Sequence, residues 1–300
     1  MRVLLGMVAI VALQSDLPPR VTPRVVADLV GYSEGIVFSA AGATFVSTLH
    51  REAVYIISGR EAPRVWYRVT EPNGHRILPD QSHLVAAKGG IHHVAADGNL
   101  LQIVGRELST PNDLALDGDG GVFISSPAEH EEDQQARRSG VYYLDSKRGL
   151  RQVADGLCFP NGIIVRPNGR LLLVNDSCTR QIHEYEITSA GRLGTRRMLA
   201  QLPDMKSVPD GMAFDLAGRL YVADYGTGHV VVLGPDGRVS HRYPTGLEHP
   251  SNVAFGGPTL SDLYVTGSPK QEDGAGQLVL LALNVRGRSS LALPMPFGSR

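Results

Sequence analysis

Two cysteines in 300 residues are too few for a disulfide framework, and Cys158 and Cys178 lack the spacing of a thiolate metal site. They are expected to be buried thiols, joined only if the protein is exported. No charge of one sign dominates: 29 basic and 30 acidic residues leave a net charge of -1, and the densest charged run, HEEDQQARR, mixes both signs. Such a balance excludes a nucleic-acid surface. Long apolar runs are missing as well. The N-terminal stretch from Val3 to Leu13 has eleven residues, too few to span a bilayer. Between residues 22 and 300 no segment of useful length repeats its apolar residues at the helical period, which leaves strands as the building material.

What the chain does have is turns, with 34 glycines and 19 prolines, and a repeat. SEGIVFSAAGATFVS begins at Ser33, PNGHRILPDQSHLVA at Pro72, PNDLALDGDGGVFIS at Pro111, PNGIIVRPNGRLLLV at Pro160, PDGMAFDLAGRLYVA at Pro209 and PSNVAFGGPTLSDLYVT at Pro250. Each copy carries one polar residue before a short apolar run: Glu34, Asn73, Asn112, Asn161, Asp210 and Asn252, spaced by 39, 39, 49, 49 and 42 residues. A turn and a second apolar run follow, such as FVST, VFIS or LYVA, and then two further strands, for example VYYLD at Val141 and VVVLG at Val230. A repeat of about 40 to 45 residues in six copies, with four antiparallel strands each, predicts a six-bladed β-propeller.

One closed domain is expected over residues 23–300, because a single blade cannot bury both of its faces. Residues 1–22 form an N-terminal extension. One arginine, the short apolar stretch and the Pro-rich exit fit the central region of a secretory signal, so a secreted or periplasmic location is favoured over the cytoplasm. The other reading is an arm packed on the propeller. Closure is expected to mix N-terminal and C-terminal strands in one blade, with Val25 to Leu29 sealing an edge.

Residues at one place in successive blades form a ring about the propeller axis, here of carboxylates and amides near one mouth. Amides that turn their carbonyls inward make this an oxygen-only set, which suits a hard cation such as Ca²⁺ or Mg²⁺. Glu34 and Asp210 would balance the charge, and Asn112 and Asn161 would complete the shell. Asn73 and Asn252 are equally well read as channel lining or turn caps. No histidine or cysteine occupies a ring position.

The segments SEGIVF, PNDLALD, PNGIIV, PDGMAFD and SNVAFGG resemble the regucalcin (senescence marker protein), gluconolactonase and luciferin-regenerating enzyme family of six-bladed propellers. The likeness runs from about residue 23 to 290. It implies one divalent ion held by Glu34, Asn161 and Asp210, with Asn112 at the metal or at a water on it and in contact with substrate. Calcium leads, with Zn²⁺, Mg²⁺ and Mn²⁺ as alternatives. Phosphotriesterases of the diisopropylfluorophosphatase type are similar in using a Glu, Asn, Asn and Asp set. Two positions depart from the pattern. Sugar lactonases carry arginine where this chain has Thr110, and the proline after the Glu-Gly pair is Ile36.

An ion in such a ring polarises a carbonyl and lowers the pKa of a water, which implies hydrolysis of a lactone or ester by a metal-bound water. Asp210 is the candidate base as well as a ligand, and Asp113 ranks second, with a hydrogen bond to a ligand as its alternative role. Thr110, Asn112 and Asp113 are the substrate-contact candidates. A short hydroxyl in place of a guanidinium favours a less polar lactone or ester over an aldonolactone. His92 and His93 alternate on a strand and are read as packing or surface residues. Ser33 and Ser177 have no paired His and Asp in sequence, so a serine nucleophile is unsupported. The 127–138 segment is a solvated loop from which Glu129 or His130 could reach substrate. A small-molecule substrate and a monomer are expected. A phosphotriesterase, a non-catalytic calcium-binding propeller and a biosynthetic enzyme on the same metal site are the competing readings.

Overall fold

A computed structural model describes residues 17–59, 61–128, 139–270 and 274–288. They form six four-stranded antiparallel sheets arranged as a six-bladed propeller. Among the described residues the only helical turns are the 3₁₀ segments Leu49–Arg51 and Ser177–Thr179. The innermost strands are Ser33–Phe38, His75–Ile77, Leu114–Leu116, Pro160–Val165, Pro209–Phe214 and His249–Gly256. In the first five blades each is followed by three strands in simple order toward the rim.

The sixth blade is closed as expected. Its outermost strand is Arg24–Val30, which pairs antiparallel with Ala275–Leu281 from the other end of the chain. Leu29 is buried with Leu278 in the cluster that joins this blade to the first. Elsewhere too the core lies between blades: Tyr221 and Tyr243 of the fifth pack with Val253, Phe255 and Val279 of the sixth. Every blade therefore depends on both neighbours for burial of its faces.

The turns behave as their residues dictate. Asp215 accepts the Arg219 N–H at 2.9 Å, and Gly218 takes the left-handed conformation (φ +80°) that closes the hairpin. The packed chain reaches back beyond residue 23: Leu17 is buried between blades five and six, and the Tyr243 hydroxyl donates to the Pro18 carbonyl at 2.6 Å. The apolar stretch from Val3 to Leu13, and with it the secretory-signal reading, lies outside the described residues, as do Glu129 and His130. No described helix is long and apolar enough to cross a membrane.

One expectation is overturned. Cys158 and Cys178 are exposed and joined in a disulfide, with Cα atoms 6.1 Å apart. Cys158 stands just before the inner strand of blade four, and Cys178 lies in the 3₁₀ turn after its second strand. His92 and His93 are both buried on opposite faces of their strand, against the Tyr67 hydroxyl (2.7 Å) and the Ser82 hydroxyl (2.8 Å).

Candidate metal centre and channel mouth

The repeated polar residue coincides with a break in strand register. In blades one, four and five the pairing slips by one residue between Ser33 and Ile36, Pro160 and Ile163, and Pro209 and Met212. In blade three the Asn112 N–H donates to the Ser125 carbonyl while the Ser125 N–H donates to the Asp113 carbonyl, the same one-residue excess. Bulges of this kind re-aim a side chain out of the alternation of its strand. Glu34, Asn112, Asn161 and Asp210 are all buried, with exposures of 7%, 8%, 7% and 5%. Asn73 is half-buried, and Asn252 is buried with its Oδ1 accepting the Val253 N–H at 2.9 Å.

Successive ring residues are in backbone contact, because glycine follows four of them. A Cβ on Gly35 would overlap the Asn73 carbonyl, one on Gly74 the Asn112 carbonyl, one on Gly162 the Asp210 carbonyl, and one on Gly211 the Asn252 side chain. None of the four has a positive φ. They are there for close approach, not for a turn. The ring carbonyls are pinned from the neighbouring blades: Thr266 Oγ1 donates to Glu34 O at 2.6 Å, the Gly74 N–H to Asn112 O at 2.7 Å, and Asn175 Nδ2 to Asp210 O.

Two acids absent from the sequence reading fix the approach to Asn161 and Asp210. Asp176 accepts the Phe159 N–H at 2.8 Å and the Cys158 N–H at 3.2 Å. Asp224 accepts the Val208 N–H at 2.8 Å and the Ser207 and Thr227 hydroxyls. Each sits at the end of its blade's second strand and holds the loop two residues ahead of the ring position. Burial pushes the Asp176 carboxyl up, but His183 and the two N–H donors outweigh it and keep the group below the usual carboxylate range. The recurrence of an acid after LLLVN and LYVA was the available signal.

Thr110 is half-buried and donates to the Pro127 carbonyl at 3.2 Å. Asp113 is engaged elsewhere. Its carboxylate lies 3.1 Å from the Arg76 guanidinium and accepts the Leu114 N–H at 2.8 Å and the Ile163 N–H at 3.4 Å. These partners make it a bridge between blades two, three and four and favour its structural role over substrate contact.

On the ring side stands an aromatic wall that the sequence did not announce. Tyr32 precedes Glu34 by two residues and lies edge-on to Tyr225, with ring centroids 6.4 Å apart. Tyr225 stacks on His249 at 4.4 Å, and His50 flanks Tyr32 at 6.4 Å.

Residues 26–268 match the family model described as the SMP-30/gluconolactonase/LRE-like region. The chain belongs to that family. It is 30% identical to the diisopropyl-fluorophosphatase of Loligo vulgaris over 222 residues, 65% of this chain and 70% of that one. It is 29% identical to the 6-deoxy-6-sulfogluconolactonase of Pseudomonas putida over 194 residues, 62% of this chain and 65% of that protein, just under two thirds of the relative's length. Among solved structures, a gluconolactonase from Xanthomonas campestris superposes with a TM-score of 0.75 at 26% identity, over 89% of this chain and 95% of that one.

The donor set of this chain fits a hard divalent cation. Two carboxylates and two amides stand buried at bulged positions of the inner strands. The side chains of Asn112 and Asn161 make no hydrogen bond among the described residues. Their amide atoms stay open to solvent, and an amide carbonyl oxygen is an ordinary ligand of a hard cation.

Proposed function

We propose that the protein is a divalent-metal-dependent hydrolase of a lactone or ester, acting at the ring-side mouth of its channel. One observation carries the reading: oxygen side chains, two of them acidic, recur at the same strand position in four blades, buried and beside an aromatic wall. Glu34, Asn112, Asn161 and Asp210 would hold the ion, with Ca²⁺ favoured by all-oxygen ligation and Zn²⁺, Mg²⁺ and Mn²⁺ as alternatives. When bound, such an ion supplies Lewis acidity toward a carbonyl and acidifies water.

The chain supplies the rest. The Asp210 carboxylate accepts the proton of the attacking water. The Asn112 amide N–H donates to the carbonyl oxygen as negative charge gathers there, a bond that strengthens toward the transition state and is commonly worth about 3 kcal/mol. Tyr32, Tyr225 and His249 present apolar faces that exclude water and receive the less polar part of the substrate.

Thr110 sets the substrate class. A short hydroxyl cannot grip vicinal hydroxyls as a guanidinium fork does, so an aliphatic or aromatic lactone or ester is preferred over an aldonolactone. The relative named as a fluorophosphatase supports including organophosphates in the same test. A hydrolysis panel of aldonolactones, apolar lactones, esters and organophosphates decides the matter. Apolar lactones or esters should lead for the wild type, and Thr110→Arg should shift preference toward aldonolactones. Gluconolactone as the leading wild-type substrate would refute the specificity. No turnover of any member would refute the hydrolase.

A further inference from the structure

A cavity of about 580 Å³ opens at the other end of the inner strands from the bulged ring positions and reaches inward as far as Asn252. Its wall is largely apolar: Leu116, Ile164, Met212, Phe214, Val253 and Phe255, from blades three to six. Arg76, Arg166 and Arg288 stand around it, with Asp117 as the one acid in the lining.

Three of these four charges are committed to the protein. Arg76 is paired with Asp113 and donates to the His75 carbonyl at 2.6 Å. Arg166 is paired with buried Glu184 at 3.0 Å. Asp117 accepts the Asp119 and Gly121 N–H groups at 2.7 and 2.9 Å and the Tyr143 hydroxyl. Burial and that hydrogen bond push the Tyr143 phenol far up, so it remains a donor. The exposed Arg288 guanidinium, by contrast, has no carboxylate partner among the described residues.

Its place at the rim is built into the backbone. The segment after the last strand runs back over the end of blade five. Leu216 N–H donates to Arg286 O, Asp215 and Gly287 form a bridge, and Arg288 N–H donates to Phe214 O at 2.9 Å. Gly287 lies flat on Phe255, where any Cβ would overlap the ring. Glycine is thus required for the segment to lie across this mouth, and Arg288 is the next residue.

We propose that this cavity binds a monocarboxylate with an apolar body, its carboxylate on Arg288 and its body against Ile164, Ala254 and Leu216. An apolar chamber of this size with few polar groups matches small-molecule sites in general. Guanidinium and carboxylate make the strong, directional partner pair. A cation would find its one carboxylate, Asp117, already engaged and Arg288 at the mouth, and a sugar would find too few unengaged hydrogen-bonding groups. The lining offers no unengaged nucleophile or base, so the site binds and does not react. The proposal is independent of the chemistry assigned to the ring.

Decanoate is the probe, titrated calorimetrically into the full chain, with decanol as its uncharged counterpart. One decanoate per chain should bind, and decanol at least tenfold more weakly. Arg288→Glu should weaken decanoate binding about 10- to 100-fold, and Leu216→Glu, a charge at an exposed rim position, should weaken it too. Arg288→Lys should retain most of the affinity. Both glutamate variants should fold and hydrolyse as the wild type does, since neither touches the ring. Absent decanoate binding, equal affinity for decanol, or an unchanged Arg288→Glu titration would overturn the proposal. So would loss of decanoate binding in Asp210→Asn, which would put the probe at the ring.

Discussion

Replacing Gly162 by alanine inserts a methyl group where the inner strands of blades four and five touch. The new Cβ would overlap the Asp210 carbonyl oxygen and press on the Gly211 Cα. Both obstacles are backbone, so no rotamer change relieves the contact, and Asn175 pins the same carbonyl from behind. Overpacking costs about 1 to 3 kcal/mol, and a backbone obstacle puts this site at the upper end. In a domain of this size each kcal/mol lowers Tm by about 2 to 4 °C, so the variant should melt roughly 5 to 10 °C below the wild type. The strand that yields carries Asn161 or Asp210, and a displacement of about 1 Å at a reacting group costs about 100-fold in turnover. Gly169→Ala is the control. Gly169 has φ +71° with nothing within 4 Å of a Cβ, so its alanine should cost about 1 kcal/mol of backbone strain and leave turnover unchanged. Scanning calorimetry and kcat on both variants check this. Wild-type melting and turnover in Gly162→Ala would refute the close-approach reasoning.

Deleting residues 25–29 removes the strand that seals blade six and should abolish cooperative urea unfolding, while Leu29→Ala alone should cost about 2 to 3 kcal/mol. Replacing both Cys158 and Cys178 by serine opens a loop of 20 residues and should lower stability by about 3 kcal/mol in the same assay. Acid should act through His75 and His83, which share a 2.8 Å hydrogen bond in a buried setting. Burial holds His75 well below its usual range and His83 at about 4. Unfolded histidines titrate near pH 6.5, so between about 6.5 and 4 the unfolded chain binds more protons. Stability that is full above pH 6.5 should therefore fall as pH drops through that window, on the order of 3 kcal/mol for His83, and His83→Gln should flatten the fall.

The six blades were legible because the repeat repeats everything a blade needs: a polar entry, two apolar runs and a turn. Strand closure was legible for a related reason, since a propeller without a seal would expose an edge at Ala275–Leu281. The bulges were not. A one-residue slip at Asn161 leaves the apolar alternation of Ile163 to Val165 intact, so the sequence records no irregularity. The glycines after Glu34, Asn73, Asn161 and Asp210 read as turn residues, yet their φ values are ordinary and their role is contact with the next blade. Contacts between distant segments were hidden altogether. The pairing of Asp113 with Arg76, the stacking of Tyr225 on His249 and the seating of Leu17 between blades five and six all join residues that no local pattern connects. The cysteines misled because burial is the habit of a lone thiol, whereas here two exposed loops meet across blade four.

The central claim is that Glu34, Asn112, Asn161 and Asp210 form one divalent site on which hydrolysis depends. It is tested most directly by titrating Ca²⁺ into chelator-stripped protein while following heat and lactone turnover together, with the bound ion then located crystallographically. The account predicts one ion per chain, carboxylate and amide oxygens of Glu34, Asn161 and Asp210 at about 2.3 to 2.6 Å from it, turnover that returns in step with occupancy, and loss of both in Asp210→Asn. Calcium bound away from these side chains, or lactone hydrolysis that persists in the stripped protein, would contradict it.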